Sequence, residues 1–249
     1  MLRAVAATRY VAALREGGSL PGLCEADDDG LYVVKFRGAG QGRKALVAEV
    51  IGGELARALG LAVPELVIAE LDEGFGRAEP DPEIQELLQA STGANLGVDF
   101  LPGALPYAPA TGEVPDAALA ADIVWLDAYL TNIDRTARNT NMLWWHGTLY
   151  LIDHGATLYF QHDDRRASGF ERTSFPQIAD HVLLPCAGSI AEADERFAPR
   201  VTEALVDEVV GLVPDAFLDG DERRLYRDYL CARVAAPRAF AEEAERARP

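Results

Sequence analysis

The chain has 249 residues, 49% hydrophobic and 25% charged, enough apolar material for one large domain or two small lobes sharing a cleft. Its formal net charge of -17 opposes nonspecific attraction to nucleic acid or to an anionic membrane, so neither is expected as a direct partner. No apolar run approaches the roughly 20 residues of a membrane helix, no signal-peptide pattern opens the chain, and Cys24, Cys186 and Cys231 lie far apart. Reduced thiols and a cytoplasmic location are the expectation.

Residues 8–15 (TRYVAALR) fit either a strand or a short helix. They run into Glu16-Gly17-Gly18-Ser19, a flexible turn. After the acidic turn Asp27-Asp28-Asp29-Gly30, residues 31–36 (LYVVKF) are β-branched and aromatic and predict a strand. A glycine-rich loop over 38–42 follows. Apolar residues at Leu46, Val47, Val50, Ile51, Leu55 and Leu59 then predict a helix over 44–59, stopped by Gly60. Residues 62–70 (AVPELVIAE) predict the next strand, 72–82 a polar irregular segment, and 98–101 (VDFL) a short strand. The Pro- and Gly-rich connector beyond marks a lobe boundary within a single domain, with an N-terminal lobe over 1–101 and a C-terminal lobe over 102–249.

Residues 116–130 predict an apolar helix buried on most faces. Residues 142–145 (MLWW) and 148–152 (TLYLI) predict a hairpin turned by His146-Gly147, because glycine supplies the positive φ such turns need. From about residue 190 the chain reads as helices punctuated by Pro199, Pro214 and Pro237. The fold class is α+β and bilobal, strand-rich first and mainly helical second.

The hairpin brings Asn139, just before its first strand, beside Asp153, just after its second. Asp134 sits in the loop feeding the same place. Oxygen donors in this arrangement suit Mg²⁺, which takes one or two carboxylates together with substrate phosphates and water. An Asp that accepts a hydroxyl proton, an Asn five residues later and an Asp before a hairpin-following glycine form the layout of phosphoryl transfer in kinases. That layout also needs a strand lysine for the ATP phosphates and a helix glutamate to hold it. Lys35 stands inside an apolar strand, where an unpaired ammonium is costly, and Glu49 follows on the next helix. Gly17, Gly18 and Ser19 offer backbone N–H groups to phosphates or form a plain turn. Residues 38–43 (GAGQGR) are the other candidate for that contact.

NIDRTARNTNML followed by LYLIDHG resembles the D-R-x-x-x-N … I-D-x-G pattern of HipA-like kinases and phosphoinositide kinases. GGELARALGLAVPEL, preceded by Glu49, resembles the HipA-like helix-then-strand segment after the nucleotide lysine. The resemblance covers about Tyr10 to Arg233 and implies a short HipA-like kinase, without the N-terminal subdomain of the toxin-type proteins. It implies a protein-kinase-like fold, with Lys35 as the phosphate lysine, Glu49 as its partner, Asp134 as catalytic base, and Asn139 and Asp153 as Mg²⁺ ligands. Val98 and Phe100 would belong to the hinge strand over 98–101, whose backbone would pair with adenine. The implied reaction moves the γ-phosphoryl of ATP to a hydroxyl acceptor such as a protein serine or threonine. A nucleotide-sensing pseudokinase and an AMP-transferring enzyme are the alternative readings of the same residues. One departure concerns the base: the histidine that often follows Asp-Arg in these families is Thr136 here, so its hydrogen-bond support is unassigned.

Overall fold

The computed structural model describes residues 1–14, 20–40, 42–162 and 169–249. Gly17, Gly18 and Ser19 lie outside the described residues. Five strands of the first half close into a barrel: β1 (Arg3–Ala13), β2 (Gly22–Ala26), β3 (Leu31–Lys35), β4 (Leu66–Leu71) and β5 (Gly93–Asp99), in the order β1-β2-β3-β5-β4. Closure comes from β1, which runs antiparallel to β2 and turns its first residues parallel to β4. Alternation along β3 buries Tyr32 and Val34 inside the barrel and leaves Leu31, Val33 and Lys35 on the other face. Lys35 therefore points away from the barrel interior, beside Val33.

Helix α1 (Gly42–Leu59) is buried along most of its length, from Ala45 to Gly53 without a break, and packs into the main core rather than that of the barrel. It approaches the second half closely. A Cβ at Gly52 would lie 2.8 Å from the Cβ of His154, so only glycine fits there. Helix α2 (Pro82–Ala90) begins at the Asp81 cap, whose carboxylate accepts the Glu83 N–H at 3.0 Å.

In the second half, α3 (Ala117–Leu130) is apolar all round and forms the centre of the core. Trp125 stacks on Tyr129, with ring centroids 5.5 Å apart, and meets Phe197 and Phe240 edge-on. Strands β6 (Leu105–Pro106), β7 (Met142–Trp145) and β8 (Thr148–Leu151) make a small sheet. His146 and Gly147 both have positive φ, 49° and 78°, as a two-residue hairpin turn requires. Helices α4 (Ile190–Phe197), α5 (Glu203–Leu212), α6 (Gly220–Val234) and α7 (Ala239–Ala247) complete the half. The buried Arg233 of α6 donates to the Ala128 and Tyr129 carbonyls at 2.9 and 2.7 Å, placing a cation at the C-terminal end of α3. No helix among the described residues is long and apolar enough to cross a membrane.

Residues 8–13 of the segment expected over 8–15 belong to β1, and three expectations need correction. The strand expected over 62–70 starts only at Leu66, because Arg57 takes the Val63 and Pro64 carbonyls at 3.0 and 2.7 Å and Pro64 has no N–H to pair. The strand expected over 98–101 is instead Gly93–Asp99, its start hidden by two glycines. Helix α2 went unread because it adjoins the polar stretch, although Asp81-Pro82 is a helix-start signal.

Substituting Gly52→Val should cost about 1–3 kcal/mol through overpacking against His154. Urea denaturation of the variant checks this, and an unchanged midpoint would contradict the packing.

Candidate active site

The outward turn of Lys35 brings its ammonium against α1 and the end of β8. Its side chain is only 14% exposed. Lys35 Nζ donates to Glu49 Oε1 and, at 2.7 Å, to Asp153 Oδ1. The other oxygen of Glu49 accepts the His154 N–H at 3.0 Å, so one buried carboxylate holds both the lysine and the chain next to Asp153. Burial works against the Lys35 charge, but Glu49 and Asp153 outweigh it and raise its pKa. Burial, and then the neighbouring Asp153 carboxylate, push Glu49 up to about 7 against the pull of Lys35. Burial would raise Asp153 too, yet Lys35 holds it below the usual carboxylate range. Asp153 stays ionised and half-exposed, with a left-handed backbone at φ 55° that turns it out of the strand direction.

A second cluster surrounds Asp134. Asn139 Nδ2 donates to Asp134 Oδ2 at 2.7 Å, and Asn141 Nδ2 reaches the same oxygen at 3.2 Å. Because Asn139 uses its nitrogen there, its carbonyl oxygen is the atom left for another partner. Asp134 Oδ1 accepts no hydrogen bond among the described residues. No hydrogen bond joins the Asp134 cluster to Asp153 directly. They are linked through Arg135, which donates to the Asn141 carbonyl and, at 3.5 Å, to that of Ile152, the residue before Asp153.

Beneath this loop lies Asp127 of α3, which sequence reasoning missed. Its carboxylate is wholly buried and accepts from Asn132 Nδ2 at 2.8 Å, Arg135 Nε at 2.5 Å and His181 Nε2 at 2.8 Å. Asn132 in turn accepts the Asp134 N–H at 3.1 Å. Burial would raise the Asp127 pKa, but Arg135 and His181 hold it well below the usual range. The available signal was a carboxylate inside an apolar helix, which demands a buried partner.

A cleft of about 560 Å³ opens between barrel and hairpin, within the range of a small-ligand pocket. Val33 and Val98 line it from the barrel, Leu143 and Ile152 from the hairpin, and Lys35 and Asp153 stand in its wall. Val98 lies on a strand paired on both sides, so it offers its side chain alone. Phe100 also lines the cleft, but its N–H donates to the Leu31 carbonyl at 2.9 Å; the neighbouring Leu101 N–H has no partner among the described residues. Leu14 and Pro21, joined by an N–H to carbonyl bond of 2.8 Å, border the cleft at the root of the segment holding Gly17, Gly18 and Ser19. The glycines at 38, 40 and 42 do not line it.

Asp127→Asn leaves Arg135 as an uncompensated buried charge and should lower stability at pH 7 by about 3–5 kcal/mol. The folded-state pKa of Asp127 is depressed. Its contribution is therefore complete above the unfolded value of about 3.9 and is lost as pH falls below it. The gap between wild type and variant should stay constant at neutral pH and narrow as pH is lowered below about 4 in urea denaturation, and a gap that stays constant there would contradict this.

The sequence matches the HipA-like kinase family over residues 8–231. Among solved structures, the chain resembles the Helicobacter pylori proinflammatory kinase CtkA at a TM-score of 0.60 and 14% identity, over 95% of this chain and 93% of that one. It also resembles the Golgi casein kinase at a TM-score of 0.51 and 14% identity, over 97% and 72% of the two chains. No curated protein matches. The family match covers most of the chain, and the fold is shared with these kinases: the chain belongs to the HipA-like kinases and is a phosphotransferase with a protein-kinase-like fold.

Proposed function

We propose that the protein transfers the γ-phosphoryl group of ATP, with Mg²⁺, to the hydroxyl of a protein serine or threonine. The observation that supports this most is the Lys35 ammonium held between Glu49 and Asp153 in the wall of a nucleotide-sized cleft. In this reading residues 1–101 and 102–249 act as the two lobes of one kinase-like domain in the cytoplasm. The three free cysteines suit that compartment.

Adenine would lie between Val33 and Val98 on one side and Leu143 and Ile152 on the other, its polar edge against the Leu101 N–H and the Phe100 carbonyl. Lys35 contacts the phosphates. The ionised Asp153 and the side-chain Oδ1 of Asn139 are hard oxygen donors that fit Mg²⁺. When bound, that cation neutralises charge on the phosphate oxygens. Asn139 Nδ2 keeps Asp134 Oδ2 engaged, leaving Oδ1 to receive the acceptor's proton. The acceptor oxygen then bonds to the γ-phosphorus, the bond to the β,γ-bridging oxygen breaks with its electron pair leaving on ADP, and the proton passes to Asp134.

Label from γ- and α-labelled ATP should be followed with wild type and Asp134→Asn. Transfer of γ-label should fall at least about 100-fold in the variant, with ATP affinity held within about twofold, as for a lost base rather than a lost site. Full activity in the variant, or α-label in the product, would contradict the reading.

A further inference from the structure

The buried carboxylate of Asp127 binds more than the loop next to it. Asn132 and Arg135, which flank Asp134, are two of its three donors; the third, His181, directly follows the 3₁₀ turn Pro176–Asp180, 54 residues along the chain from Asp127. The tautomer of His181 is set by its neighbours. Its Nδ1 accepts the Leu183 N–H at 3.1 Å, so the ring proton is on Nε2 and points at Asp127. The same segment also pairs with the loop through its backbone. Thr136 and His181 form an isolated antiparallel bridge, and the Val182 N–H donates to the Arg135 carbonyl at 3.1 Å.

Thr136 is the pivot of the turn that carries the chemistry. Its N–H is shared between the Asp134 carbonyl at 3.0 Å and the Asn139 carbonyl at 2.9 Å, and its own carbonyl accepts the Asn139 N–H at 3.2 Å. A shift of the segment at His181 therefore moves Asp134 and Asn139 together. The Lys35–Glu49–Asp153 contact is built from β3, α1 and the end of β8, and makes no hydrogen bond to His181.

We propose that His181 is a positioning residue for phosphoryl transfer: through its Nε2–H bond to Asp127 and its bridge to Thr136, it sets the catalytic loop that presents Asp134 and Asn139. The inference rests on the phosphoryl-transfer reading above. It assigns His181 a larger role in turnover than in nucleotide affinity, because Asn139 is one metal donor while Lys35 and Asp153 stay in place. A histidine that only filled the core would give a different pattern, because its loss would weaken folding and every ligand contact alike.

The test compares His181→Phe, which fills the space without a donor, with His181→Gln, whose amide N–H can reach Asp127. Mg-ATP affinity, γ-label turnover at saturating ATP and thermal midpoint are measured on the full chain. His181→Phe should lower kcat about 10- to 100-fold, the scale of a displaced catalytic group, with a clearly smaller loss of Mg-ATP affinity. His181→Gln should recover most of that loss. Unchanged turnover in a folded His181→Phe, or parallel losses of affinity and turnover that His181→Gln fails to rescue, would overturn the proposal. Nitrogen-15 NMR of the wild-type imidazole gives a readout independent of any variant's folding: the Nε2–H tautomer is expected, and a proton on Nδ1 would overturn the assignment. A wild type that neither binds nor turns over Mg-ATP removes the phosphoryl-transfer reading and this inference together, whereas an active wild type with an equally active His181→Phe removes the inference alone.

Discussion

One ammonium group joins the two halves of this protein. Lys35 leaves the barrel, meets Glu49 in the middle of α1 and Asp153 at the end of the hairpin, and is nearly out of water while doing so. An isolated charge in that position would be strongly disfavoured, and a single carboxylate would barely offset its desolvation. Two carboxylates and one ammonium leave an excess of negative charge, which the site resolves unequally. Glu49, the more buried, is pushed up, while Asp153 is held low and half-exposed. An ionised oxygen donor facing a cleft is the chemistry a hard cation and its phosphates require.

A second buried charge organises the other half of the site. Asp127 satisfies Asn132, Arg135 and His181 at once, and Arg135 carries that order to the carbonyls on both sides of the hairpin base. The two ionic centres divide the labour. The Lys35 centre lines the cleft proposed for nucleotide, and the Asp127 centre holds the loop bearing Asp134 and Asn139. Both stand on α1 and α3, the two most deeply buried helices, so the positions of their side chains follow from core packing.

The residues proposed to touch the chemistry were legible in the sequence because their types are costly where they stand. Lys35 interrupts an apolar strand, and Asp153 ends one. The His146-Gly147 turn marked the hairpin and so the expected neighbourhood of Asn139 and Asp153, whereas its register sets Asn141 against Ile152. The residues that support them were not legible, since support comes from distant segments. Nothing local marks His181 as a partner of Asp127, and Thr136 reads as a missing histidine until its bridge to His181 is seen. The same limit applied to the barrel. Gly93 and Gly97 weaken the strand pattern of β5, yet a Cβ at Gly97 would lie 2.7 Å from Val67 Cγ2, so the pattern was broken by close packing between strands.

The central claim is that the cleft beside Lys35 and Asp153 is a site for ATP with a divalent cation. Titration calorimetry of ATP into wild type and Asp153→Asn, with and without Mg²⁺, tests it most directly. The account predicts binding that depends on Mg²⁺ in wild type and loses that dependence in the variant. Absence of binding at millimolar ATP, or binding equal in both proteins and indifferent to Mg²⁺, would contradict it.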